Sequence, residues 1–168
     1  MINVEDIIGE VLQPLRQSND IGLYHYGNEY ELKEIMNAKD YQAKYPFVWL
    51  VLPFESNPTE NLDRKELRAR IKLILSTSTE LSWLNTKRNI ETYKKILNPL
   101  YDNVIKSFTK SYNITIVEDE VNVKKLHNYY KSDLGTRSNP QKKTVNDYWD
   151  VILMEFDGIF KPIQECNL

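Results

Sequence analysis

The residues of this chain that are able to do chemistry are few and scattered. Its two histidines are His25 and His127, both close to tyrosines, and its single cysteine is Cys166 near the end of the sequence. Nucleophilic catalysis needs a Ser or Cys within reach of a His that a third group orients. His25 and His127 read more simply as surface or partly packed residues than as catalytic bases. None of the five glycines falls in a Gly-x-Ser-x-Gly elbow, a Gly-x-x-x-x-Gly-Lys phosphate loop or a Gly-x-Gly-x-x-Gly turn, so nucleotide binding is not expected. Two histidines and one cysteine in these positions lack the spacing of a structural zinc site. The run Glu118-Asp119-Glu120, beside Lys124 and Lys125, is the only group that resembles a Mg²⁺-holding carboxylate cluster. It shows no period that would fix it on a rigid element, and such runs usually form solvated loops. No cofactor or metal is expected.

Residues suited to binding are better represented. Arg68, Arg70 and Lys72 recur at every second position and so share one face of a strand. There they would meet acidic groups of a neighbouring subunit, a passing polyanion or only solvent. Between Lys124 and Lys143, Lys124, Lys125, Lys131, Arg137, Lys142 and Lys143 are opposed by Asp133 alone and interleaved with Tyr129 and Tyr130. That stretch suits phosphates or an acidic partner, although a solvated loop is the simpler account because no period arranges the charges.

The elements that must carry these groups follow from periodicity. Val4, Ile7, Ile8, Val11, Leu12 and Leu15 form a helical stripe that Asn3 or Asp6 caps, with Pro14 ending or kinking it near Gln13. Ile21 to Leu32 suggests a hairpin turning on Gly27-Asn28, yet Leu32, Ile35 and Met36 suit a helix. Tyr45-Pro46-Phe47-Val48-Trp49-Leu50-Val51-Leu52-Pro53 is a short apolar run between prolines, as in a central strand buried on both faces. Leu67 to Ser76 alternates between an apolar and a mostly charged face. The connection Phe54–Glu66, with Asn57 and Asn61, is longer than a hairpin needs and is expected to project.

From Thr86 to Phe108 the spacing is helical, with Asn85 or Thr86 as cap, and Pro99 after Asn98 predicts either one kinked helix or two in tandem. Asn113 to Val117 suits a short strand, Lys124 to Lys143 shows no regular element, and Tyr148 to Phe156 is a strand with Gly158 as a bulge and Pro162 ending it. The sum is an α+β fold: a mainly antiparallel sheet packed against a long helix and an N-terminal helix, with projecting loops near 54–66 and 127–147.

Composition agrees with one folded domain over 1–168. The chain has 168 residues, 41% apolar and 27% charged, and a net charge of −2, which speaks against nucleic acid as its main partner. No apolar run reaches membrane-spanning length, the first residues Met1 to Asp6 are acidic unlike a signal peptide, and one cysteine agrees with a reducing compartment. Eleven tyrosines supply rigid amphipathic area suited to protein contact or to core edges.

The order of these elements carries a resemblance. Tyr45-Pro46-Phe47-Val48-Trp49-Leu50, a polar excursion, Arg70-Ile71-Lys72-Leu73-Ile74-Leu75, the helix from Thr86 and the closing strand Tyr148 to Phe156 look like the tail-terminator and tail-completion proteins of bacteriophages. The likeness runs from Val4 to Phe160. It implies a non-enzymatic subunit of a closed homo-oligomeric ring at the head–tail junction, with loops touching neighbours and other neck and tail proteins, and DNA passing through. A neck or collar ring fits equally. Under that reading Arg68, Arg70, Lys72, Asn57, Asn61, Tyr129, Tyr130, Arg137, Lys142 and Lys143 are candidate interface or lumen contacts, DNA contact is at most non-specific, no membrane is involved, and the location is the virion. The alternatives are a small phage-encoded metal-dependent nuclease and a monomeric host adaptor.

Overall fold

The computed structural model describes residues 2–36, 44–58, 66–117, 121–129 and 148–163. Helix α1, Val4–Val11, begins where the Asn3 side chain accepts from the Asp6 amide, and it buries Val4, Ile7 and Ile8. It stops at Val11, and a short α2, Gln13–Gln17, restarts with Pro14 in its first turn, where a missing N–H has no cost.

Strand β1, Leu23–Gly27, then lies parallel to β2, Phe47–Val51, in register from Leu23 opposite Phe47 to Gly27 opposite Val51. The hairpin on Gly27-Asn28 does not form. Asn28 instead caps helix α3, Glu29–Met36, its Oδ1 accepting from the amides of Tyr30 (2.9 Å) and Glu31 (3.0 Å), while the Glu31 carboxylate accepts from the Asn28 amide at 2.8 Å. This reciprocal capping box satisfies donors that a tight turn would leave open, and α3 becomes the crossover that a parallel pair requires. Gly27 closes β1 at φ 149°, and a Cβ there would meet the Glu31 carboxylate and approach the Trp49 ring to 3.1 Å. Gly27→Ala is therefore expected to lower stability by about 1–3 kcal/mol, read from the midpoint of thermal unfolding; an unchanged midpoint would show that this junction relaxes freely.

β2 pairs antiparallel with β4, Leu67–Thr79. The Phe54–Glu66 connection is not loop throughout, because Ser56–Pro58 forms β3 and pairs with β4 from Ala69 to Leu67; 59–65 lie outside the described residues. At the far end of the chain β7, Tyr148–Phe160, pairs with β4 along the full length of both strands. The other edge of β7 carries β5, Ile114–Ile116, and β6, Asn122–Tyr129. The expected irregularity from Lys124 onward is thus corrected as far as Tyr129: the β7 ladder supplies the partner that no local period announced. Gly158 is not a bulge either. It stays in register opposite Ala69 and Ile116, and its missing Cβ makes room for the rings of Phe156 and Phe160, the latter 2.8 Å from where a Cβ would stand. The sheet, ordered β1-β2-β4-β7-β5, is mixed but mostly antiparallel.

The long helix runs unbroken from α4, Asn85–Arg88, through a π-helical segment, Asn89–Leu97, into α5, Asn98–Lys110. Pro99 cannot donate, and its ring crowds the carbonyl four residues back. The wider π pitch just before it absorbs this, so Asn98 is helical (φ −67°, ψ −48°) and separates no second helix. Neither Asn85 nor Thr86 is the cap; Leu84 precedes the helix and makes no side-chain cap bond.

Two cores result. Tyr93, Leu97, Leu100, Val104 and Phe108 of the long helix, together with α1, cover Ile71, Leu73, Leu75, Met154 and Phe156 on one face of the sheet. On the other face α3 covers Phe47, Trp49, Ile74, Trp149 and Val151. This second layer explains why β4 alternates only as far as Lys72: from Leu73 to Thr77 both faces are buried. No helix among the described residues is long and apolar enough to cross a membrane.

Candidate functional site

An aspartate buried near the start of an apolar strand demands a partner, since an unpaired charge in the interior is very costly. Asp150 of β7 is 0% exposed, and its Oδ1 accepts from Arg88 Nη1 at 2.8 Å. Arg88, itself buried, uses its remaining donors on the connection between β4 and the helix: Nε to the Trp83 carbonyl at 2.8 Å and Nη2 to the Glu80 carbonyl at 2.8 Å. The Thr92 hydroxyl lies 2.6 Å from the Arg88 carbonyl and 2.7 Å from Asp150 Oδ2. His127 of β6 brings Nδ1 to 3.4 Å from Asp150 Oδ1 and sets its ring edge-on to Tyr93. The Tyr93 hydroxyl donates to the Leu126 carbonyl at 2.8 Å.

An Asp–His pair is the orienting half of many catalytic groups. Here the carboxylate is committed to a guanidinium and the threonine proton to a carbonyl or carboxylate, so the assembly acts as a brace that ties the long helix, β6, β7 and the connection after β4 together. Burial, and then the charge of Asp150, push the Tyr93 phenol above its ordinary range. Tyr24, buried with its hydroxyl donating to the Glu5 carbonyl, is pushed the same way, first by burial and then by Glu5.

The sign of the linkage follows. Above the ordinary tyrosine value near 10 the unfolded chain releases these protons while the folded chain keeps them, so the unfolded state binds fewer and stability falls as pH rises. Denaturation midpoints are expected to be level between about pH 8 and 9.5 with respect to these groups and to drop beyond about pH 10. Tyr93→Phe should make the drop shallower, and an equal slope in the variant would remove Tyr93 from the account.

What the brace presents is an apolar surface. Leu81 is 51% exposed, Leu84 79% and Ile90 44%. Between them Trp83 is half-buried, with Lys87 Nζ 4.4 Å from the centre of its ring. Trp83, Leu84, Lys87 and Ile90 line an open depression of about 540 Å³, edged by Glu80 and Glu91, while Leu81 stands outside it. Ile90, which helical spacing assigns to the core face, stands on this exposed side instead.

The residues singled out from sequence are distributed as follows. Arg68, Arg70 and Lys72 do share an exposed strand face at the β3 end of the sheet, and acids of β7 share it with them. Arg68 pairs with Asp157 at 2.9 Å and Lys72 with Glu155 at 3.9 Å, while Arg70 stands opposite Asp157 in register. Asn57 is in β3 opposite Arg68. Tyr129 is at the other end of the sheet, opposite Trp149 and packed against the second core. Asn61, Tyr130, Arg137, Lys142, Lys143 and the Glu118–Glu120 run lie outside the described residues. His25 stacks on Trp49, ring centres 5.2 Å apart. Among the described residues no group of three or more His, Cys, Asp or Glu converges as a metal site would.

Arg88, Thr92, Asp150, Leu81 and Leu84 escaped the sequence reading. The signal was present in Asp150, a lone charge inside Tyr148-Trp149-Asp150-Val151-Ile152-Leu153, and in two leucines stranded in a strand-to-helix connection.

Fold and site together define an α+β protein in which a buried ion pair lies behind an exposed apolar surface. No protein-family model matches the chain. A stretch of 106 residues, 61% of the chain, is 28% identical to phragmoplastin DRP1A of Arabidopsis thaliana. The match spans 17% of that protein's length, so the likeness is to a segment of it.

Proposed function

We propose that this chain is a non-enzymatic structural subunit of a tailed-bacteriophage virion, assembling into a ring at the head–tail junction as a tail terminator, neck or collar protein. The observation that carries the reading is the apolar surface of Trp83, Leu84 and Ile90, with Leu81 also exposed on the same connection: exposed apolar side chains grouped at one place mark protein contact. The order of elements gives further support, with an N-terminal helix, a Tyr-Pro strand, a long alternating strand, a long helix and a closing strand in the succession that the terminator resemblance implies. Arg68, Arg70 and Lys72, interleaved with Asp157 and Glu155, suit contacts with a like surface and at most non-specific contact with DNA in a lumen. The segments that follow β3 and β6, with Asn61, Arg137, Lys142 and Lys143, are proposed to reach neighbouring subunits and other neck and tail proteins.

Purified chain at high concentration, or particles of the phage that encodes it, should show closed rings by negative-stain electron microscopy and a defined oligomer by native mass spectrometry. A protein that stays monomeric, is absent from particles and cleaves DNA with Mg²⁺ would replace this reading with the nuclease.

A further inference from the structure

We propose that the exposed side chains of Leu84 (79%) and Leu81 (51%) insert into a groove at the opposite end of a second copy of this chain. The inference rests on the ring reading above but names the contact that builds it. The groove lies between α1, α2 and the last turns of α5. It has a volume of about 480 Å³, a floor that includes Val11, Pro14 and Leu15, and a rim carrying Lys106 and Lys110 on one side and Glu10 and Asp20 on the other. Its size is within the range of small-ligand and side-chain pockets, and its floor is apolar like the leucines it would receive.

Two arguments select a second copy as the occupant. The first is charge. Leu84 is flanked by the acids Glu80 and Glu91 and the cation Lys87; the groove offers Lys106 and Lys110 for the acids and Glu10 and Asp20 for the cation. Glu91 also pairs with Lys95 along its own helix at 2.6 Å, which leaves Glu80 as the freer of the two acids to face a lysine. The second is position. The leucines stand at the start of the long helix and the groove at its end, on the order of 35–40 Å away for a helix of this length. A surface at one end that fits a groove at the other is a heterologous contact. Repeated with a rotation it closes a ring, and without one it grows a filament. The donor side needs no ordering on contact, because Arg88 holds residues 80–83 by their carbonyls.

The test uses the full chain and two variants that block opposite sides. Leu84→Asp alters an exposed position, and Ser107→Arg fills the groove from a partly exposed helix position without removing a core side chain. Circular dichroism and the unfolding midpoint establish that both fold. By sedimentation velocity across micromolar to millimolar concentration, each variant alone is expected to raise the self-association constant for dissociation by about 100-fold, the scale of losing a central contact residue. Mixed in equal amounts, they should form one-to-one dimers and nothing larger, because the free leucines of one meet the free groove of the other and both remaining sides are blocked. Wild type that is monomeric at millimolar concentration overturns the proposal, as do variants that associate like wild type. If rings persist in both variants, the ring reading stands and this contact is wrong; if wild type forms filaments that Leu84→Asp dissolves, the contact stands and the ring reading fails.

Discussion

Arg88→Met is expected to lower the stability of the folded chain by about 3–5 kcal/mol, because it leaves the Asp150 carboxylate buried without its counter-charge. Asp150 is 0% exposed and Arg88 2%, so neither group is able to turn to water without disturbing β7 or the long helix. For a protein of this size that loss corresponds to a fall in Tm of roughly 10 °C or more. The size of the effect measures the stranded charge rather than the net worth of the pair, and a double replacement separates the two. Arg88→Met combined with Asp150→Leu should recover most of the loss. A double variant as unstable as the single one would show that the brace matters through its carbonyl bonds instead. Residues 80–83 are held by Arg88 through carbonyls of Glu80 and Trp83, so amide hydrogen exchange in this connection should accelerate in Arg88→Met well beyond the change elsewhere, and the self-association proposed above should weaken even under conditions where the variant remains folded.

Trp149→Ala is expected to cost about 3–5 kcal/mol as well, by a different route: removal of a large buried ring leaves a cavity that a packed sheet face is unable to close. Trp149 is 0% exposed, meets Phe47 edge-on with ring centres 5.2 Å apart, and donates its indole N–H to the Tyr45 hydroxyl. It also stands opposite Tyr129 in the register of β6 on β7. The variant should therefore lose protection in β6 before the rest of the sheet. Trp83→Ala is the control, since that ring is half-buried against Lys87 and its loss should stay below about 1 kcal/mol. Chemical denaturation followed by circular dichroism distinguishes these outcomes; near-equal effects of the two tryptophans would mean that the α3 side of the sheet is not a packed core. Because a domain of this kind is stable by only about 5–15 kcal/mol in total, either Arg88→Met or Trp149→Ala removes a large share.

The sequence by itself determined the elements whose pattern is local. Phe47–Val51 declared a buried strand by its uninterrupted apolar run, the first half of β4 by its two-residue period, and the long helix by the spacing of Tyr93, Leu97, Leu100, Val104 and Phe108. Periodicity records which face of an element avoids water, and for these segments the burial matches it. What periodicity leaves out is the identity of the neighbour. Only the tertiary structure decided that β1 lies parallel to β2 through a capped α3, that β6 forms by pairing with β7, and that α3 buries the second face of β4 beyond Lys72. The same holds for the candidate site. Arg88 and Asp150 are 62 residues apart in sequence, and each alone reads as an ordinary charge. Their meaning arises from the contact between them, which exists only once the helix is laid across the sheet and water is excluded from the space between.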